Sequence, residues 1–167
     1  MSVQSILIRA KEASASLSAA STDAKNAALA HIAQLLLDNS SAIVSANALD
    51  LERGKENGLT QGLLDRLKLD EARIRGLAGS IAEIIALPDP VGLSVQGKTL
   101  PNGISIQQVK VPFGVIGCIY EARPNVTVDI AALALKSGNA AVLRGGSAAE
   151  KTNEVLVSLI QRGLKES

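Results

Sequence analysis

Apolar residues recur at helical spacing through the first half of the chain. In SVQSILIRAKEASASL they fall at Val3, Ile6, Leu7, Ala10, Ala13 and Leu17, a helical spacing. A second helix places Ala28, Ile32, Leu35 and Leu36 on one face, with Thr22 or Asp23 as its cap. SAIVSANALDLERGKENG predicts a third, ending at Gly58. Asp70 caps a fourth, with Ile74, Leu77, Ile81, Ile84 and Ile85 inward, and PDP at 88–90 stops it.

The period then changes. LSVQGKTLPNGISIQQVKV predicts a hairpin, with Pro101 presetting the turn and Gly103 free to take positive φ. Its arms alternate imperfectly, as expected of an edge or protruding hairpin. VPFGVIGCIY is almost continuously apolar, the pattern of a parallel strand covered on both faces. Asn125 or Thr127 caps the next helix, VTVDIAALALKSG, and Gly138 stops it. NAAVL is a second buried strand. RGGS leads into a final helix, with Ser147 and Glu150 at capping-box spacing. The chain therefore divides into a helical region (1–90), a hairpin (91–110) and a strand–helix–strand–helix unit (111–167). The last is the building block of a doubly wound α/β sheet, here incomplete with only two strands.

Composition narrows the partners. Seventeen basic and 16 acidic residues give a net charge of +1, with no basic cluster of the kind that neutralises nucleic-acid phosphates. No apolar run reaches the roughly 18 residues of a membrane span. The first residues lack the apolar core and cleavage site of a secretory signal. A single cysteine excludes an internal disulfide framework. A cytoplasmic protein without nucleic-acid or membrane partners is expected. Phe113 and Tyr120 are the only aromatics, so the core has to be aliphatic.

In open α/β sheets ligands bind at the carboxyl ends of the strands. Two loops fall there: Glu121 to Asn125, and Arg144 to Ser147. In the second, Gly145 and Gly146 let a ligand approach the backbone, and a helix N-terminus behind them favours an anion such as phosphate. No acidic residue directly follows this strand to hold a ribose 2′-hydroxyl. Arg144 stands there instead, which suits the 2′-phosphate of NADP. The same residues are also ordinary turn chemistry. In the first loop Pro124 forces Arg123 out of the helical region. Asn125 is then either an N-cap or an amide aimed at a developing oxyanion, and Glu121 and Arg123 can pair with each other. Cys118 lies mid-strand with no cationic neighbour in sequence, the setting of an inert thiol. His31 has no second ligand near it in sequence and reads as structural or exposed.

The segment VPFGVIGCIYEARPNVTVDIAALALKSGNAAVLRGGS closely resembles the gamma-glutamyl phosphate reductase (glutamate-5-semialdehyde dehydrogenase) family of the aldehyde dehydrogenase superfamily. IYEARPNVT, LKSGNA and LRGG stand in the family's order and spacing. ALDLERGKENGL, LLDRLKL and LPNGI also fit, so the resemblance covers essentially the whole chain but only the first part of the family's length. It implies NADPH-dependent reduction of L-glutamate 5-phosphate to glutamate 5-semialdehyde, on the way to proline. In that chemistry a cysteine thiolate displaces phosphate, and hydride then reduces the thioester. By motif position Asn125 resembles the oxyanion-stabilising asparagine, and Arg144 the basic residue at the adenosine ribose and its phosphate. Ser147 stands where NAD-preferring relatives tend to carry glutamate. Ala122 and Arg123 would line the nicotinamide side, with Gly145 and Gly146 beside the cofactor. The LPNGI hairpin resembles an oligomerisation arm, which implies a homo-oligomer.

The family's nucleophilic cysteine belongs to a later catalytic domain, for which these residues hold no equivalent; Cys118 lies in the wrong segment. The resemblance thus implies an amino-terminal piece that by itself neither reduces glutamyl phosphate nor binds NADPH tightly. Two other expectations compete with it. One is a non-catalytic nucleotide-binding or oligomerisation module. The other is a different aldehyde dehydrogenase, against which stands the absence of the tryptophan that common members carry before the asparagine.

Overall fold

The computed structural model describes residues 2–167. Five helices come first: α1 (Val3–Ala19), α2 (Thr22–Asp38), α3 (Ser40–Glu56), α4 (Gln61–Leu67) and α5 (Glu71–Ala86). A hairpin of β1 (Ser94–Thr99) and β2 (Ser105–Val109) follows. Then come β3 (Val115–Ile119), α6 (Pro124–Lys136), β4 (Ala140–Arg144), a single 3₁₀ turn (Ser147–Ala149) and α7 (Glu150–Glu166).

Helix α2 is the hub, packing against α5, α6 and α7. The aliphatic core it shares with them includes Leu29, Leu36, Ile43, Ile74, Ile81, Val128 and Leu156. Two lysines are buried in the same region, each with partners. Lys25 reaches Asp89 at 2.5 Å. Lys136 donates to the Asn26 side-chain oxygen at 2.7 Å and the Ile85 carbonyl at 2.9 Å. Both lysines tie α2 and α6 to the end of α5, and a buried ammonium is tolerated only when paired in this way.

Strands β3 and β4 pair in parallel, Val115 against Ala140 through Ile119 against Arg144. The hairpin is antiparallel and exposed along both arms. Gly103 supplies the positive φ of its turn, at 86°. Gly58 and Gly138 end their helices at φ 74° and 72°, a conformation that costs other residues a Cβ clash.

Helix α1 forms as its spacing predicts, with Val3, Ile6 and Leu7 exposed and Ser14 its buried residue. The helix packs on β3 and β4 rather than in the helical core, so only its second half finds cover. Several expectations are corrected. The continuous apolar stretch is strand only from Val115, because Gly114 turns the chain at φ 105°. It is not covered on both faces: Phe113 is 91% and Ile119 81% exposed. The cap of α2 is Ser21, whose hydroxyl accepts from the Ala24 N–H at 3.1 Å. Thr22 instead donates to Asp89. Helix α4 was not expected, since seven residues are too few to establish a helical period.

Candidate active site

The two loops expected at the strand ends lie side by side. The Tyr120 N–H donates to the Arg144 carbonyl at 3.1 Å, extending the β3–β4 ladder by one bond past the strands. Beyond it Gly146 lies against the Glu121 backbone: a Cβ there would sit 3.4 Å from Glu121 Cα and carbonyl carbon. This packing brings the turn bearing Arg123 and Asn125 to the same end of the sheet as Arg144, Gly145, Gly146 and Ser147.

Asn125 is not the cap of α6. Arg123 takes that position at φ −136°, as Pro124 requires, and Pro124 opens the helix. Thr127 does not cap it either. The Asn125 amide donates instead to Asp129 Oδ2 at 3.1 Å, one turn along α6. An amide carries two N–H donors, so this bond orients the group and leaves the second donor for a ligand. Asp129 is half-buried. Burial pushes its carboxyl above the usual aspartate value, and the Asn125 hydrogen bond opposes that rise. Glu121 and Arg123 share no ion pair; the Arg123 N–H donates to the Glu121 carbonyl at 2.9 Å.

Three residues that sequence reasoning passed over hold the loops in place. The Thr127 hydroxyl is fully buried, lies 2.6 Å from the Tyr120 hydroxyl and donates to Asn153 Oδ1 at 2.7 Å. With Thr127 donating onward, Tyr120 is the donor to Thr127. The relay joins the tip of β3 to α6 and α7. Burial raises the Tyr120 pKa above its ordinary value, against the pull of Thr127, so the phenol stays protonated as a donor. The only sequence signal was a lone tyrosine at a strand tip. Gly145 packs under this relay, and a side chain there would strike Asn153 and Tyr120.

The N-terminus of α7 does not offer the expected anion site. Ser147 and Glu150 form no capping box. The fully buried Asp50 of α3 accepts from the Lys151 N–H at 3.2 Å and the Thr152 N–H at 2.8 Å. A carboxylate already fills the place a phosphate would take. Arg53 bonds Asp50, Glu150 and the Ser147 carbonyl, fixing the turn. Arg144 is exposed and, among the described residues, its guanidinium has no hydrogen-bonded or ionic partner. Arg144 and Ser147 both stand exposed at this end of the sheet.

Asn125 faces a groove of about 510 Å³ formed by α4, α5 and the start of α6. Arg66, Lys68 and Arg73 line it together with Arg123 and Asp129. Arg73 is engaged by Asp65, and Lys68 by Asp70. A second depression of about 450 Å³, between α2 and α5, is lined mostly by small apolar residues and offers no comparable chemistry. Cys118 is a free, half-buried thiol in mid-strand. His31 is paired with Glu166 at 3.3 Å.

No family model matches the chain. A gamma-glutamyl phosphate reductase of Leifsonia xyli is 63% identical over 93% of it, and one from Clavibacter michiganensis 56% identical over 98%. The chain spans about two fifths of the length of these curated relatives, 37% and 38%. Among solved structures, gamma-glutamyl phosphate reductase from Thermotoga maritima superposes with a TM-score of 0.92 at 43% identity, covering 95% of this chain and 38% of its own. The Saccharomyces cerevisiae enzyme gives 0.94 at 34%, covering 99% and 42%. A benzaldehyde dehydrogenase from Corynebacterium glutamicum, at 22% identity and a TM-score of 0.65, shares the fold. By sequence and by fold, the chain belongs to the gamma-glutamyl phosphate reductase family.

Proposed function

We propose that this segment supplies the cofactor-ribose contact and the oxyanion donor for NADPH-dependent reduction of L-glutamate 5-phosphate to glutamate 5-semialdehyde, in a cytoplasmic homo-oligomer. The observation that carries this reading is the pairing of the two strand tips, Tyr120 N–H to Arg144 carbonyl. It sets an oriented amide and an unpartnered guanidinium at one end of the sheet.

Each residue then has a task. Asp129 orients the Asn125 amide, and the remaining N–H stabilises the negative charge that develops on the substrate carbonyl oxygen. NADPH, when bound, supplies the hydride. Arg144 and Ser147 take its ribose phosphate, Gly145 and Gly146 keep that approach free of side chains, and the backbone at Ala122 and Arg123 lines the nicotinamide side. The exposed hairpin supports subunit contact, and strand edges of this kind readily pair with another chain.

The test uses a full-length reductase that carries these residues as its amino-terminal segment. Asn125→Ala is expected to lower kcat by about 10²–10³-fold while the KM for NADPH moves less than about twofold. A variant that keeps its full kcat would remove the oxyanion role. An intact full-length protein with no glutamate 5-semialdehyde dehydrogenase turnover would remove the reductase reading itself.

A further inference from the structure

The groove beside Asn125 holds charges of both signs, and the oxyanion role uses only the Asp129 carboxylate, to orient the amide. On α6, Asn125 and Asp129 are four residues apart, so they share a helix face with Cβ atoms about 6 Å apart. Among the described residues the Asp129 carboxylate has one partner, the neutral Asn125 amide at 3.1 Å, and no cation. A half-buried carboxylate without a counter-ion is unfavourable, and burial duly raises its pKa. Arg66, from α4, and Arg123, just before α6, line the same groove, and among the described residues neither guanidinium has a partner, whereas Lys68 and Arg73 are neutralised by their own aspartates. An unmatched carboxylate and unmatched guanidinium groups in one groove are the complement of a zwitterion.

We infer that this groove binds the α-amino-acid end of the substrate, Asp129 receiving the α-ammonium group and Arg66 the α-carboxylate. The inference rests on the reductase reading for placing the reacting carbonyl at Asn125. From that carbon to the α-nitrogen of a glutamyl group is four bonds, about 5 Å when extended. The Asn125 nitrogen and the Asp129 oxygen stand 3.1 Å apart, so a chain of that length can set its carbonyl oxygen on the one and its ammonium on the other. The groove would then tell glutamyl substrates from plain dicarboxylic ones by charge, since loss of an ionic partner in a partly desolvated site is costly.

The probes are L-glutamate and glutarate, which differ by the α-ammonium group, titrated into the ¹⁵N-labelled chain and followed by amide chemical shifts. L-Glutamate is expected to shift the Asn125 side-chain amide and the Asp129 backbone amide, with glutarate at least about tenfold weaker. Asp129→Asn should bring L-glutamate down to the glutarate level and leave glutarate unchanged. Arg66→Ala, an exposed change that leaves the core intact, should weaken both ligands. Equal responses to the two ligands, or none to either, would overturn the assignment. So would an Asp129→Asn variant that loses both alike, because Asp129 would then only position Asn125. Failure of the reductase reading shows separately, as absent turnover in the full-length protein despite amino-acid discrimination in the groove.

Discussion

Asp50 on α3 and Thr152 at the start of α7 are joined twice: the buried carboxylate accepts the Thr152 N–H at 2.8 Å and its hydroxyl at 2.7 Å. The pair spans 102 residues of chain and replaces the local cap that α7 lacks. It also sets the direction in which Ser147 and Arg144 leave the sheet, since Arg53 bridges Asp50 and the Ser147 carbonyl. Asp50→Ala leaves the Thr152 and Lys151 donors buried without an acceptor. A loss of about 3 kcal/mol is predicted from a missing cap plus unsatisfied donors. Asp50→Asn keeps one acceptor oxygen and should lose about half of that. Urea unfolding of the two variants measures both, and equal stability in Asp50→Ala would contradict the capping role.

The elements were largely legible in the sequence, while their partners were not. Helical and strand periods located six of the helices, both hairpin arms and the parallel pair. The glycines at 58, 103 and 138 marked their turns, because positive φ is a property of the residue itself. Capping was misread at α2, α6 and α7 for different reasons. At α2 the cap is local but one residue earlier, at Ser21; at α6 Pro124 sets the start of the helix; at α7 the acceptor comes from α3. Burial was misread at β3 because apolar character states what a residue would bury, not what lies against it. At the site, Asn125 and Arg144 could be picked from loop position. Asp129, Arg66, Thr127 and Asn153 could not, since their relevance arises only when α4, α6 and α7 meet.

Gly163 on α7 lies where α2 passes most closely. A Cβ added there would fall 2.6 Å from Ile32 Cγ1 and within 3.3–3.4 Å of the Ile32 Cα and N. The side chain could rotate aside, but the backbone of α2 could not. Alanine gains about 1 kcal/mol in helix propensity, against an overpacking cost of about 1–3 kcal/mol. With backbone as the obstacle the second effect should win, and Gly163→Ala is predicted to lower the denaturation midpoint. A raised midpoint would show that α2 and α7 have slack.

Acid should weaken the chain through Asp89. Burial alone would push this carboxyl up, but hydrogen bonds from Lys25, the Val91 N–H and Thr22 together hold it below the ordinary 3.8. A carboxyl depressed in the folded state contributes stability that is full above 3.8 and is lost as pH falls through the folded value. Asp129 works in the opposite sense, its raised pKa costing stability as pH rises. Thermal midpoints of the wild type and Asp89→Asn should therefore differ most near neutral pH and converge as pH falls below 3.8. A gap independent of pH would mean that the Asp89 contribution is packing rather than charge.

Cofactor preference is predicted to rest on Arg144 and Ser147. Arg144 is exposed and its guanidinium without a partner, so its removal disturbs no internal contact and isolates its effect on the ligand. A charge-assisted contact to a phosphate is worth about 1.5–3 kcal/mol, or roughly 10- to 150-fold in affinity. In a full-length reductase carrying this segment, Arg144→Ala should raise the KM for NADPH at least about tenfold and that for NADH by less than about twofold. Ser147→Glu should act in the same direction by a different route, setting a carboxylate against the 2′-phosphate and offering an acceptor to the 2′-hydroxyl of NADH. The Arg53 bond to the Ser147 carbonyl holds the turn whichever side chain stands there, so the exchange tests charge rather than folding. Parallel loss of NADPH and NADH affinity in both variants would place the ribose elsewhere on the sheet.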